Sequence, residues 1–235
     1  MGEIRLENAG YEVAGREILA PMNLVLSARR VGIVGRNGSG KSTLARLLAG
    51  LIAPSRGTVR LAGDDLFADR RAALARVGIL FQNPDHQIIF PTCGEEVAFG
   101  LAQQGRKDAE PAARAALAEF DKAHWWDRPV GSLSGGQRHL LCLIAVLAMA
   151  PEWLILDEPF AGLDIPTTRA LHRRIAALEQ KVVLISHDPA ALAGFDRVIW
   201  LEGGAVEADG PAEAVLARFG AAMEGASDDL TDLAG

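Results

Sequence analysis

Cysteine is scarce. Cys93 and Cys142 are the two in 235 residues. They make neither a disulfide framework nor a Cys-x-x-Cys metal site, so a reducing cytoplasm is the expected setting. Both read as small apolar residues. Basic charge is also in deficit: 24 Lys and Arg stand against 30 Asp and Glu, a formal charge of −6. Nucleic-acid binding wants a basic footprint, so protein or small-molecule partners fit better than DNA or RNA. Long apolar runs are missing. The longest, Leu140 to Ala150, ends at Pro151 and falls short of the roughly 20 residues needed to cross a bilayer. The opening MGEIRLENAG lacks the apolar core of a secretory signal. If this chain serves a membrane, it is expected to do so from outside the lipid. No internal repeat or low-complexity tract is evident, and His86, His124, His139 and His172 show no metal-ligand spacing.

What is present fits one domain with a subdomain, since 49% of residues are hydrophobic. Alternation at Ile4, Leu6, Tyr11 and Val13 predicts strands joined by a turn at Asn8–Gly10. Ile18–Ser27, Val31–Val34, Thr58–Leu61, Val77–Phe81, Trp153–Leu156, Lys181–Ser186 and Arg197–Leu201 also read as strands. Thr43–Ala49, Leu163–Gln180 and Glu213–Arg218 read as helices. From Cys93 to Ala150 the chain is rich in Ala, Leu, Glu and Gln at helical spacing. The expected fold is α/β: a parallel core with an N-terminal antiparallel β subdomain and an inserted helical unit. The core is drawn from residues 1–83 and 154–235, the insert from 84–153. The small, acidic tail from Glu224 is expected to fray.

One stretch carries unmistakable chemistry: Gly35-Arg36-Asn37-Gly38-Ser39-Gly40-Lys41-Ser42-Thr43. It matches G-x-x-x-x-G-K-[ST] between an apolar strand and a helix. Glycines let successive N–H groups curl toward one anion, and the helix aims its positive end there. Lys41 adds a point charge for the β- and γ-phosphates, and Ser42 offers a hydroxyl to Mg²⁺. A second signal is Trp153-Leu-Ile-Leu-Asp157-Glu158, an apolar strand ending in two carboxylates. At that tip Asp157 can hold Mg²⁺ and Glu158 can polarise an attacking water. An exposed acidic pair is the ordinary alternative. A third is Leu133-Ser134-Gly135-Gly136-Gln137, a glycine-rich turn that opens a helix, with simple capping by Ser134 as the plain alternative.

Together these motifs resemble the nucleotide-binding subunits of ATP-binding cassette (ABC) transporters, over the whole chain up to the tail. The resemblance implies a P-loop NTPase core of RecA type, ATP and Mg²⁺ as cofactors, and ATP hydrolysis as the activity. It implies Glu158, His187 and Gln82 as catalytic groups, and Ser42, Gln82 and Asp157 around the metal. Tyr11 stands where such proteins stack an aromatic on adenine, or is a half-buried strand tyrosine. Ala161-Gly162-Leu163-Asp164 matches the loop that crosses to a partner, and His187 the histidine that meets the γ-phosphate. The family pairs two subunits head to tail, each ATP lying between the phosphate loop of one and Ser134–Gln137 of the other. An isologous homodimer is favoured.

Phe81-Gln-Asn-Pro-Asp-His-Gln-Ile-Ile-Phe-Pro-Thr-Cys-Gly-Glu-Glu-Val-Ala-Phe-Gly100 narrows the resemblance to energy-coupling factor (ECF) ATPases. These drive uptake of vitamins or of cobalt and nickel. Within the group the chain is most similar to the short ATPases of bacterial biotin uptake. The implied partners are an integral membrane coupling protein and a substrate-binding membrane subunit. The implied place is the cytoplasmic face of the inner membrane, and no nucleic acid is involved. A soluble ABC assembly or scaffold ATPase shares the nucleotide motifs and differs in its docking surface. Trp125 and Trp126 are expected in the core of the helical unit.

Overall fold

The structure, a computed structural model, describes residues 2–69, 73 and 75–227, with side chains as far as Glu224. Two sheets organise it. The first is antiparallel and four-stranded, in the order β2-β1-β4-β5. Its strands are β1 (Ile4–Val13), β2 (Arg16–Leu26), β4 (Arg56–Leu61) and β5 (Asp64–Asp65). The second has six strands in the order β10-β9-β3-β8-β7-β6. These are β3 (Arg30–Val34), β6 (Val77–Leu80), β7 (Trp153–Asp157), β8 (Lys181–Ile185), β9 (Arg197–Glu202) and β10 (Ala205–Gly210). All its pairs are parallel except β9 with β10. Every residue of β3 and β7 is buried, which is why they read as unbroken apolar runs rather than alternating ones.

The expected antiparallel subdomain and parallel core are both present, but the turn expected at Asn8–Gly10 is not. β1 runs through it as one strand. The irregularity is absorbed by register shifts between Leu6 and Ala9 and between Ala9 and Tyr11. Asn8 takes a positive φ of 49°, and its N–H is held by Asn23 Oδ1 at 2.8 Å. A bulge of this kind uses the same Asn and Gly residues as a turn.

Six helices are described. They are α1 (Lys41–Leu48), α2 (Cys93–Gln103), α3 (Ala109–Glu119), α4 (Gly135–Ala148), α5 (Ile165–Ala177) and α6 (Ala212–Ser227). The last runs past Glu224, where fraying was expected, because its Ala-rich stretch continues helical spacing; residues 228–235 lie outside the described residues. Helices α2, α3 and α4 bury their own cluster around Val97, Leu101, Leu117, Trp125, Leu141 and Ile144. Helix α4 faces two ways: Cys142, Leu143 and Val146 pack instead with β7 and β8. It therefore ties the glycine turn at its start to the parallel sheet.

Trp125 is 2% exposed in that cluster. Trp126 is only half buried, and the Arg114 guanidinium lies 3.7 Å from its ring. Trp125→Ala is expected to cost about 3–5 kcal/mol through lost burial and the cavity left behind. Denaturant unfolding would check it; a loss below about 1 kcal/mol would show that the indole is not a core group.

Candidate nucleotide site

Sheet register brings the site together. Ile33 of β3 pairs with Ile185 of β8, and Asp157 of β7 pairs with the same Ile185. Leu80 of β6 pairs with Leu156. Four neighbouring parallel strands therefore end at one edge. There they place Gly35, His187, Asp157 with Glu158, and Gln82 in a row, at the carboxyl ends of the strands where α/β sheets bind ligands.

At Gly35 an added Cβ would fall 2.1 Å from the Leu201 carbonyl oxygen and 2.6 Å from Ser39 Oγ. At Gly40, with φ of 97°, it would fall 2.8 Å from Leu19 Cδ2. Only glycine fits either position. Arg36, Asn37 and Gly38 between them are exposed, while Ser39 is buried with its Oγ lacking a hydrogen-bond partner. Gly40 is the N-cap of α1, and no side chain caps the helix start. Its first N–H groups, including those of Lys41, Ser42 and Thr43, remain available to an anion.

Lys41 is 9% exposed. Its Nζ donates to the carbonyls of Gly35 at 2.8 Å and Arg36 at 2.7 Å, leaving the third of its N–H donors. Burial pushes its pKa down, while Glu158, Asp157 and Glu202 pull it up. Asp157 is also buried, which raises its pKa; a hydrogen bond from the Ser42 hydroxyl works the other way. A desolvated carboxylate beside a hydroxyl is a hard-oxygen pair that fits Mg²⁺. No group of three or more His, Cys, Asp or Glu able to hold a metal exists among the described residues.

Glu158 is the most constrained group in the row. Its backbone has φ of 52°, a conformation that costs a non-glycine residue about 1–3 kcal/mol and persists only where its surroundings hold it. The carboxylate accepts from the His187 backbone N–H at 2.7 Å, from His187 Nδ1 at 2.8 Å and from the Ser186 hydroxyl at 3.3 Å. A carboxylate acceptor assigns the proton to Nδ1, so the exposed imidazole presents Nε2 outward. Ser186 was not singled out in the sequence. Its Oγ also accepts from Asp188 N–H at 3.1 Å, and a serine before a histidine carries no signal of such a role.

The other expected residues are placed as follows. Gln82 is exposed just beyond β6. Tyr11 is half buried against the core of the antiparallel sheet, paired with Leu19, the residue that abuts Gly40. Ser134 and Gln137 form a reciprocal cap on α4: Gln137 N–H donates to Ser134 Oγ at 3.3 Å and Ser134 N–H to Gln137 Oε1 at 3.0 Å. Gly135 is exposed. A Cβ on Gly136 would meet the Gly162 carbonyl oxygen at 2.6 Å, so this turn packs on the segment leading to Asp164. Asp164 caps α5, accepting from Thr167 N–H at 2.7 Å.

The ABC transporter family profile matches residues 21–161. A biotin transport ATP-binding protein of Rhodobacter capsulatus is 53% identical over 226 residues, 95% of this chain and 97% of that one. Another, of Rhizobium etli, is 40% identical, covering 92% of this chain and 97% of its own. Among solved structures, cbiO1 of Clostridium perfringens, part of the ABC transporter complex cbiONQ, superposes with a TM-score of 0.76 at 27% identity. The match covers 98% of this chain and 96% of that one. These similarities bear out the resemblance to energy-coupling factor ATPases. The chain belongs to the ABC transporter family, as one of its ATPases.

Proposed function

We propose that this chain is the ATP-hydrolysing motor of a biotin importer, working at the cytoplasmic face of the membrane beside integral membrane partners. No helix among the described residues is long and apolar enough to cross a bilayer, and in this reading the membrane partners supply the path for the solute. The observation that carries the reading is the Glu158 carboxylate, fixed by His187 and Ser186 in the same row as Lys41 and Asp157. Biotin is the solute in this reading because the relatives at 53% and 40% identity are biotin transport ATP-binding proteins.

In this reading the N–H groups at the start of α1 and the Lys41 ammonium hold the triphosphate. Ser42 and Asp157, with Gln82, would hold Mg²⁺, which when bound would neutralise phosphate charge. Glu158 orients and polarises the attacking water. His187 spends its Nδ1 proton on Glu158, so it meets the γ-phosphate as a donor only after protonation at Nε2 or release from Glu158. Tyr11 supports the adenine. Ser134, Gly135, Gly136 and Gln137 receive the γ-phosphate of a second copy, and Asp164 with its loop meets that copy's site. Closure is favoured by the γ-phosphate and relaxed by its loss, the differential affinity a switch requires. The inserted helical unit, expected over 84–153 but ending before β7 begins at Trp153, docks on the membrane partner.

The test is retrieval of the tagged chain from its own membranes together with uptake of labelled biotin. The expected result is co-purification with integral membrane proteins and loss of uptake on deletion. Recovery with soluble partners alone, with uptake intact, would favour a scaffold ATPase.

A further inference from the structure

The backbone around Glu158 is poorly braced by its own segment. Ala161, Gly162 and Asp164 are exposed. The local hydrogen bonds, Ala161 N–H to Glu158 O and Leu163 N–H to Phe160 O, are both 3.2 Å long. Glu158 itself sits at a positive φ, held from outside by its N–H on the Ile185 carbonyl at 3.0 Å and by its carboxylate on Ser186 and His187. Among the described residues the ring contact of this segment is at Phe160, which packs on the apolar cluster of the parallel sheet and lies flat on His172 of α5. The centroids are 3.9 Å apart and the planes 15° from parallel. Asp188, next to His187, lies near enough to act on the same imidazole electrostatically. His172 therefore stands where the two loops that meet at the Glu158 carboxylate come together.

We propose that His172 is a positioning residue for hydrolysis: stacked on Phe160, it sets the backbone that aims Glu158 at the attacking water. The inference rests on the assignment of Glu158 above. His172 lies outside the motifs and Phe160 between two of them, and His172 does not meet the reacting atoms. Its flat face fixes the plane of Phe160, and Phe160 lies two residues from Glu158, so a tilt of the ring turns the intervening peptide units. Small displacements of a reacting group lower turnover without loosening substrate.

The test compares His172→Phe, His172→Leu and His172→Ala in the full-length chain by steady-state ATPase kinetics. Phenylalanine can stack and leucine can only fill. Turnover in the Leu and Ala variants is expected to fall about ten-fold with KM within about two-fold of wild type, while Phe restores most of it. If Ala does not fold, the contrast between Phe and Leu decides. Equal turnover in Phe and Leu, or KM rising in step with lost turnover, overturns the proposal by making the contact mere packing. In a Glu158→Gln background the three changes should have no further effect on residual turnover, because they act through that carboxylate. A full additional ten-fold loss there also overturns it. Should Glu158→Gln itself keep wild-type turnover, the failure lies in the assignment of Glu158.

Discussion

Glu158→Gln should bind ATP as tightly as wild type and hydrolyse it at least about a hundred-fold more slowly. A positioned general base contributes about 10²–10⁴-fold, and an amide has no basicity to offer. The fold should survive the change. The Gln carbonyl can go on accepting from the His187 backbone N–H, now at 2.7 Å from Oε1, and the new NH₂ can donate to Ser186 Oγ, which accepts as readily as it donates. Turnover and stability are thus separated, which few substitutions at a buried carboxylate achieve. On the proposed head-to-tail pairing, in which hydrolysis opens the closed pair, the variant should also accumulate ATP-bound dimers on size exclusion in Mg²⁺. Phosphate release near the wild-type rate would show that another group positions the water.

The same residue marks the limit of what the sequence could express. Asp157 and Glu158 are legible as carboxylates at the tip of an apolar strand. So is the row of strand ends, since four short apolar runs each stop before a Gly, Gln, acidic or His residue. That Glu158 adopts φ of 52° is not legible, because the groups that hold it, Ser186 and His187 some 28 residues on among them, meet it only in the folded chain. The stack of Phe160 on His172 is hidden for the same reason: α5 must fold back before the rings meet. Asn8–Gly10 shows the opposite failure. Local residues that signal a turn were overruled by β1 pairing on both sides, with β2 and β4. β10 was missed because Ala205–Gly210 has a mixed burial pattern, with Ala208 its one buried residue, and gains its place from β9 alone. Local propensity found the elements buried on both faces and failed where partners decided the conformation.

Removal of the Lys41 ammonium should abolish most nucleotide affinity. A charged hydrogen bond to phosphate contributes about 1.5–3 kcal/mol, so Lys41→Ala is expected to raise Kd about 10- to 100-fold. The alanine also frees the carbonyls of Gly35 and Arg36, which Nζ now gathers at 2.8 and 2.7 Å, so part of the loss could come from a slackened loop. Lys41→Met frees the same two carbonyls but keeps the buried stem, so its difference from alanine measures lost packing alone. Burial lowers the lysine pKa, meaning that the charged form is held at a cost in the folded chain. Losing that charge offsets the loss of its two bonds, and stability without nucleotide should change little. Stabilisation by nucleotide should change greatly. At a concentration one hundred times the wild-type Kd, binding adds about 2.7 kcal/mol, and a hundred-fold weaker site adds about 0.4 kcal/mol at the same concentration. Thermal unfolding with and without ATP reads that difference directly. A Met variant that still gains the full shift would mean that the triphosphate lies elsewhere than against Lys41.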